Sequence, residues 1–148
     1  MGEAISGEGL QPLFLRKVVA RLDASAAASV REHGLTVDRW RMLELLVARG
    51  PLPMTALSEE LSLTGPTATR VADRLVSDAL AYRSVDAADR RRVVLKAAKR
   101  GRALHDRLSP SVAEAQERAL RLLAESEHEG FARLLHTLSP APLTDRST

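Results

Sequence analysis

Two clusters of arginine carry the chemistry open to this sequence, and it is the chemistry of holding phosphate-like anions. Arg90, Arg91 and Arg92 stand consecutively behind Asp89, and Arg70 and Arg74 follow Thr64, Thr67 and Thr69 at helical spacing. A guanidinium is a planar fork of N–H donors that stays charged, so it suits phosphate oxygens and the O6 and N7 acceptors of guanine. Threonine hydroxyls and the free N–H groups of a helix start add donors for phosphate or base edges. Charge is also unevenly spread: from Thr64 to Arg102 ten Lys and Arg face four Asp, a balance of +6, and the rest of the chain is −3. Such asymmetry is the footprint of a nucleic-acid-binding module joined to something else; a merely solvated charged face is the competing reading.

Other chemistries find little support. There is no cysteine, which removes disulfides, thiolate metal sites and thiol nucleophiles together. His33, His105, His128 and His136 lack the spacing of a metal site, so no metal and no cofactor is expected. No Gly-rich phosphate loop, nucleophile elbow or zinc-protease motif occurs, and paired acids such as Glu59-Glu60 read as exposed helix surface, so the chain is not expected to be an enzyme. No stretch nears the ~20 apolar residues of a membrane span, and the start lacks a basic segment before an apolar one, so a cytoplasmic protein with no membrane partner is expected.

At 148 residues, 45% apolar and 3% aromatic, the chain can bury one core built from Leu, Val and Ala, which favours helices. Residues 1–9 read as a flexible arm and 140–148 as a frayed tail. A first helix is predicted from near Pro12 to His33-Gly34, with Leu15, Val18, Val19, Leu22, Ala26 and Val30 on one face. Thr36 should cap a second helix that Gly50-Pro51 stops, and Thr55 a short third helix ending at Leu61. After the turn at Ser62 to Gly65, a fourth helix places Ala68, Val71, Ala72, Leu75 and Val76 inward, and Thr67, Arg70, Asp73, Arg74 and Ser77 outward. Two strands, 80–85 and 92–96, should flank a polar tip at 86–91. A long helix from Ala97 to Ala124 should kink or break at Ser109-Pro110, and Ser126 to Glu129 should form the capping box of a last helix ending at Ser139-Pro140.

Two short helices joined by a tight turn, the second with an apolar face and a Thr/Arg face, make a helix-turn-helix; a basic hairpin directly after it is a wing. The expected partner is double-stranded DNA, with Arg70 the leading candidate for base reading and Arg90 and Arg92 for phosphate neutralisation. A winged-helix module used only for protein–protein contact is the alternative. It fits the helices but not the +6 segment.

From about Leu35 to Leu108 the sequence resembles the MarR family of transcriptional regulators. The likeness is carried by LTVDRWRMLELLVARGPLPMTALSEELSLTGPTATRVADRL and by the wing string DAADRRRVVLKAAKRGRAL. It implies a mostly α fold: a winged helix-turn-helix DNA-binding lobe (35–97) with a small two-stranded β-wing, and a helical dimerisation region (10–34 and 98–139). It further implies a homodimer on a pseudo-palindromic operator, acting as a repressor released by a small phenolic or aromatic effector. By the same resemblance Arg91 would enter the minor groove, steadied by Asp89 through an Asp-x-Arg pair. Phe14, His33 and Trp40 are the candidate effector contacts at the junction of the two regions. Two departures stand out. Ala79 replaces the glycine usual before the wing, which suggests a slightly different turn, and Ala97-Ala98 replaces the usual Leu-Thr cap of the long helix, which obscures where that helix starts.

Overall fold

A computed structural model describes residues 11–139; the arm and tail expected at 1–9 and 140–148 lie outside the described residues. The order is α1 (Gln11–Arg31), α2 (Val37–Arg49), β1 (Leu52–Pro53), α3 (Met54–Glu60), α4 (Gly65–Ser77), β2 (Ala81–Val85), β3 (Val93–Ala97), α5 (Lys99–Leu120) and α6 (Glu125–Leu138). It is mostly helical with one small antiparallel sheet, as the sequence predicts. The sheet has three strands rather than two, ordered β1-β3-β2, because Leu52 and Pro53 pair with Leu95 and Val94. A two-residue strand beginning with Leu-Pro has too little alternation to be read from sequence. Its pairing also moves the start of α3. Pro53 is the N-cap, and Thr55 lies inside the helix instead of capping it.

The core forms where α2 crosses the helix-turn-helix. Trp40, Met42, Leu43 and Leu46 of α2 are fully buried, with Leu57 from α3, Ala68, Ala72 and Leu75 from α4, and Leu95 from β3. Alanine at 68 and 72 lets the backbone of α4 approach this core closely. Val30 of α1 and Leu108 and Val112 of α5 extend the same cluster, since α1 lies along α5. Thr36 caps α2 as predicted, accepting the N–H of Arg39, and Gly50 ends it at φ +82°.

α4 ends in a left-handed stop. The N–H of Leu80 donates to the carbonyl of Leu75 at 2.8 Å and that of Ala79 to Val76 at 2.9 Å, with Ala79 at φ +56°. This is a Schellman closure, and buried Leu80 and Leu75 supply its apolar contact. Ala79 thus takes the conformation that glycine adopts at least cost, so the turn keeps its form and the departure from glycine is absorbed as backbone strain. The carbonyl of Leu80 then accepts the N–H of Ala98 at 2.9 Å, which fixes Ala98 as the N-cap of α5. One turn on, a Cβ added to Gly101 would stand 2.0 Å from that same carbonyl oxygen. The glycine after the wing is therefore a close-approach site.

α5 runs unbroken through Pro110. The N–H that proline lacks would have met the carbonyl of Asp106, and both Asp106 and Pro110 are exposed, so water can satisfy the freed acceptor. Packing of Leu108, Val112 and Ala115 holds the helix on either side. The capping box expected at Ser126 does not form; α6 starts two residues earlier at the N-cap Ala124, whose N–H donates to the Glu127 carboxylate at 2.7 Å, one arm of a box, since alanine has no side-chain acceptor for the other.

Two stability changes are expected. Gly101→Ala should destabilise by about 2–3 kcal/mol, although helix propensity alone would favour alanine by about 1 kcal/mol. Ala79→Gly should stabilise by about 0.5–1 kcal/mol by relieving the left-handed residue. Denaturant unfolding of both variants checks the opposite signs.

Candidate nucleic-acid interface

α3 stops at a second left-handed residue, Ser62 at φ +52°, and the N–H of Leu63 donates back to Ser58 at 2.9 Å. Half-buried Leu63 anchors this turn to the core, which sets the angle at which α4 departs. Thr64 is the N-cap of α4 but makes no side-chain bond to the helix backbone; its hydroxyl donates to the Thr67 hydroxyl at 2.9 Å. The first N–H groups of the helix are left without a side-chain cap, at the positive end of the dipole.

Burial of Ala68, Ala72 and Leu75 turns the other face of α4 outward, where Thr69, Arg70, Asp73 and Arg74 are all exposed; Thr67 is half-buried. Arg70 is in no ion pair among the described residues, so its guanidinium is free. Arg74 is less free, with its Nε 3.9 Å from the Asp78 carboxylate.

The wing tip is built by acids that spend themselves on backbone. The Asp86 carboxylate accepts the N–H of Ala88 at 2.7 Å and of Asp89 at 3.3 Å. Those two bonds hold its carboxyl below the usual carboxylate range. Asp89 accepts the main-chain N–H of Arg91 at 3.0 Å; it steadies the Arg91 backbone and not its guanidinium, a different contact from the side-chain pair expected. Arg90, Arg91 and Arg92 are all exposed, and none is in an ion pair among the described residues.

One contact not foreseen in the sequence ties the two basic elements together. Arg83 of β2 reaches Asp73 of α4, Nη2 to Oδ1, at 2.5 Å. The pair spans helix and strand ten residues apart, so neither helical nor strand spacing could reveal it. It fastens the wing to the exposed face of α4 that carries Arg70.

The three expected effector contacts are not brought together. Trp40 is fully buried and stacks on His105 of α5, with ring centroids 5.1 Å apart and planes 9° from parallel. Phe14 is exposed on α1, with the Lys17 ammonium 5.9 Å from its ring centre. His33, in the turn after α1, does border a cleft of about 730 Å³ beside Arg39, Arg74 and the start of α5. Sequence gave no signal for Arg39, whose guanidinium pairs with Asp78 and donates to the Gly34 carbonyl at 2.6 Å.

No described helix is long and apolar enough to cross a membrane, and no group of metal-ligating side chains occurs among the described residues. A sequence model of the MarR family matches residues 33–92. The chain is 30% identical over 105 residues to the HTH-type transcriptional regulator YkoM of Bacillus subtilis, an alignment covering 71% of this chain and 68% of that one. It is 26% identical over 126 residues to the homoprotocatechuate degradative operon repressor of Escherichia coli, covering 81% and 83%. The crystal structure of a probable transcriptional regulator from Pseudomonas aeruginosa superposes with a TM-score of 0.77 at 29% identity, covering 89% of this chain and 98% of that one. Family match, relatives and fold agree with the helix-turn-helix and wing described above: the chain belongs to the MarR family of transcriptional regulators.

Proposed function

We propose that this protein is a homodimeric, sequence-specific DNA-binding repressor whose hold on its operator is relieved by a small molecule. The observation that carries the reading is the pairing of free arginines on α4 and on the wing, braced together through Asp73 and Arg83. Arg70 reads base edges in the major groove, with Thr64, Thr67, Thr69 and Arg74 on phosphates or neighbouring bases. Arg91 enters the minor groove, where a narrow groove concentrates negative potential, and Arg90 and Arg92 neutralise phosphates. Asp89 acts indirectly by fixing the hairpin tip. Repression accords with the name of the Escherichia coli relative.

Residues 35–97 form the DNA-binding lobe, and 10–34 with 98–139 the dimerisation region. Support for a dimer comes from apolar surface that one chain leaves open. Leu13, Phe14, Leu15, Val18 and Val19 on α1, and Leu134, Leu135 and Leu138 on α6, are all exposed. Contiguous apolar faces of this kind mark association surfaces. A two-fold dimer would favour a pseudo-palindrome with half-sites about 34–36 Å apart.

Fluorescence anisotropy on DNA from upstream of the protein's own gene, at two salt concentrations and against random DNA, tests the reading. Salt-sensitive, sequence-preferring binding is expected. Arg70→Ala should cost about 1–3 kcal/mol and relax base preference, while Arg91→Ala should greatly weaken binding and flatten the salt slope with the fold intact. Indifference to DNA at low salt would overturn the proposal in favour of a protein-contact module. In light scattering, Leu134→Glu with Leu138→Glu should halve the mass; an unchanged mass would remove α6 from the dimer surface.

A further inference from the structure

Two apolar side chains stand in the middle of the basic interface, and neither the core nor the apolar faces of α1 and α6 account for them. Val85 ends β2 and Val93 begins β3; they are register partners, 56% and 55% exposed. Single exposed valines are ordinary on a protein surface, but a directly opposed pair makes one continuous patch. The patch lies at the base of the wing tip, where the N–H of Asp86 donates to the carbonyl of Arg92 at 2.8 Å and closes the loop. Arg90, Arg91 and Arg92, exposed and in no ion pair among the described residues, follow within that loop.

Which way the patch faces follows from the pleat. Side chains two apart in a strand share a face, and so do register partners in an antiparallel pair. Ala81, Arg83 and Val85 therefore share one face of the hairpin with Ala97, Leu95 and Val93. Ala81, Leu95 and Ala97 are buried in the core, and Arg83 reaches Asp73 on the exposed face of α4. Val85 and Val93 continue that face outward, on the α4 side of the wing, between the Arg83–Asp73 brace and the free arginines. Tyr82, 48% exposed, and its register partner Lys96 lie on the opposite face. A duplex held by Arg70 in the major groove and by Arg91 in the minor groove must lay a sugar–phosphate strand across this stretch, because such a strand is what divides the two grooves. Its phosphates suit the arginines, and the sugar carbons between them suit the valines.

We infer that Val85 and Val93 form an apolar contact site for the deoxyribose faces of the DNA strand that crosses between α4 and the wing tip, and that they supply a share of operator affinity that salt does not screen. The inference deepens the proposed DNA binding and rests on it. Phosphate contacts weaken as salt rises, whereas apolar contact does not. The wing thus holds DNA through two terms with different salt responses, one from its arginines and one from its paired valines.

Anisotropy titrations of the full chain on its operator over a range of salt concentrations separate the two terms. Val85→Ala with Val93→Ala removes apolar surface and adds no polar group, and should weaken binding about fivefold or more at every salt concentration, leaving the salt slope parallel to wild type. Backbone amide NMR shifts of Ala88, Asp89 and Arg91 report the tip that Asp86 and Asp89 shape, and should be retained. Should the alanines loosen the tip, Val85→Thr with Val93→Thr keeps β-branching for the strands and is read in their place. Tyr82→Thr, on the opposite face, should stay within about twofold of wild type, since no strand crosses it. Wild-type affinity in a double variant with an intact tip would overturn the inference. A flattened salt slope would overturn it too, because the valines would then act only by aiming the arginines, and so would an equal loss in Tyr82→Thr. Wild-type indifference to DNA would overturn the regulator reading and this contact together, whereas the other failures leave wild-type operator binding in place.

Discussion

Three segments of the chain meet at the carbonyl of Leu80. Its oxygen accepts the N–H of Ala98 where β3 gives way to α5, and it lies where only the hydrogen of Gly101 leaves room. The N–H of the same residue closes α4 onto Leu75, and the next residue begins β2. Recognition helix, wing and long helix are therefore spaced by the two backbone groups of a single residue. Cores packed to protein density shift between discrete arrangements more readily than they deform, so a displacement of α5 is passed to α4 and the wing at this point.

The free arginines of the interface owe their freedom to how the nearby acids are used. At the wing tip two carboxylates lie within six residues of three guanidiniums, close enough to neutralise them. Asp86 and Asp89 instead accept main-chain N–H groups, which shapes the hairpin and leaves the arginines uncompensated. On α4 the same division holds: Asp73 is taken by Arg83 and Asp78 by Arg39, so Arg70 has no acid left to pair with it. A rigid tip carrying unspent positive charge is what a polyanionic partner can use, because little ordering entropy remains to be lost when it binds.

Much of this was legible in the sequence, and the exceptions share a cause. Helical stripes, the Thr36 cap, the stop at Gly50 and the hairpin follow from local spacing, and local spacing is what a single sequence exposes. The third strand, the start of α3 and the cap of α6 were misplaced because each is decided by a partner far away or by one arm of a motif. β1 exists only because β3 offers it a ladder, and Glu127 caps α6 by itself although Ser126 and Glu129 have the fuller pattern. Pro110 does not break α5, because the acceptor it frees is on an exposed residue, and a sequence does not show that. At the site, the outward face of α4 and the basic tip were readable as patterns. The Arg83–Asp73 brace and the Arg39–Asp78 pair were not, since 10 and 39 residues separate the partners.

Those two ion pairs also differ in what they can do. Arg83 and Asp73 are both exposed, and such pairs contribute about 0–1 kcal/mol, so the brace matters through geometry: it limits how far the wing can swing from α4. Arg39 is nearly buried, and removing the partner of a buried charge can cost about 3–5 kcal/mol, less here because Asp78 is about a third exposed. Simple loss of Asp78 from Arg39 is therefore an expensive motion. The pair therefore ties the end of α4 to the start of α2 more firmly than the exposed brace ties the wing to the same helix, so α4 is held at its C-terminal end by a buried charge and along its outer face by a surface contact.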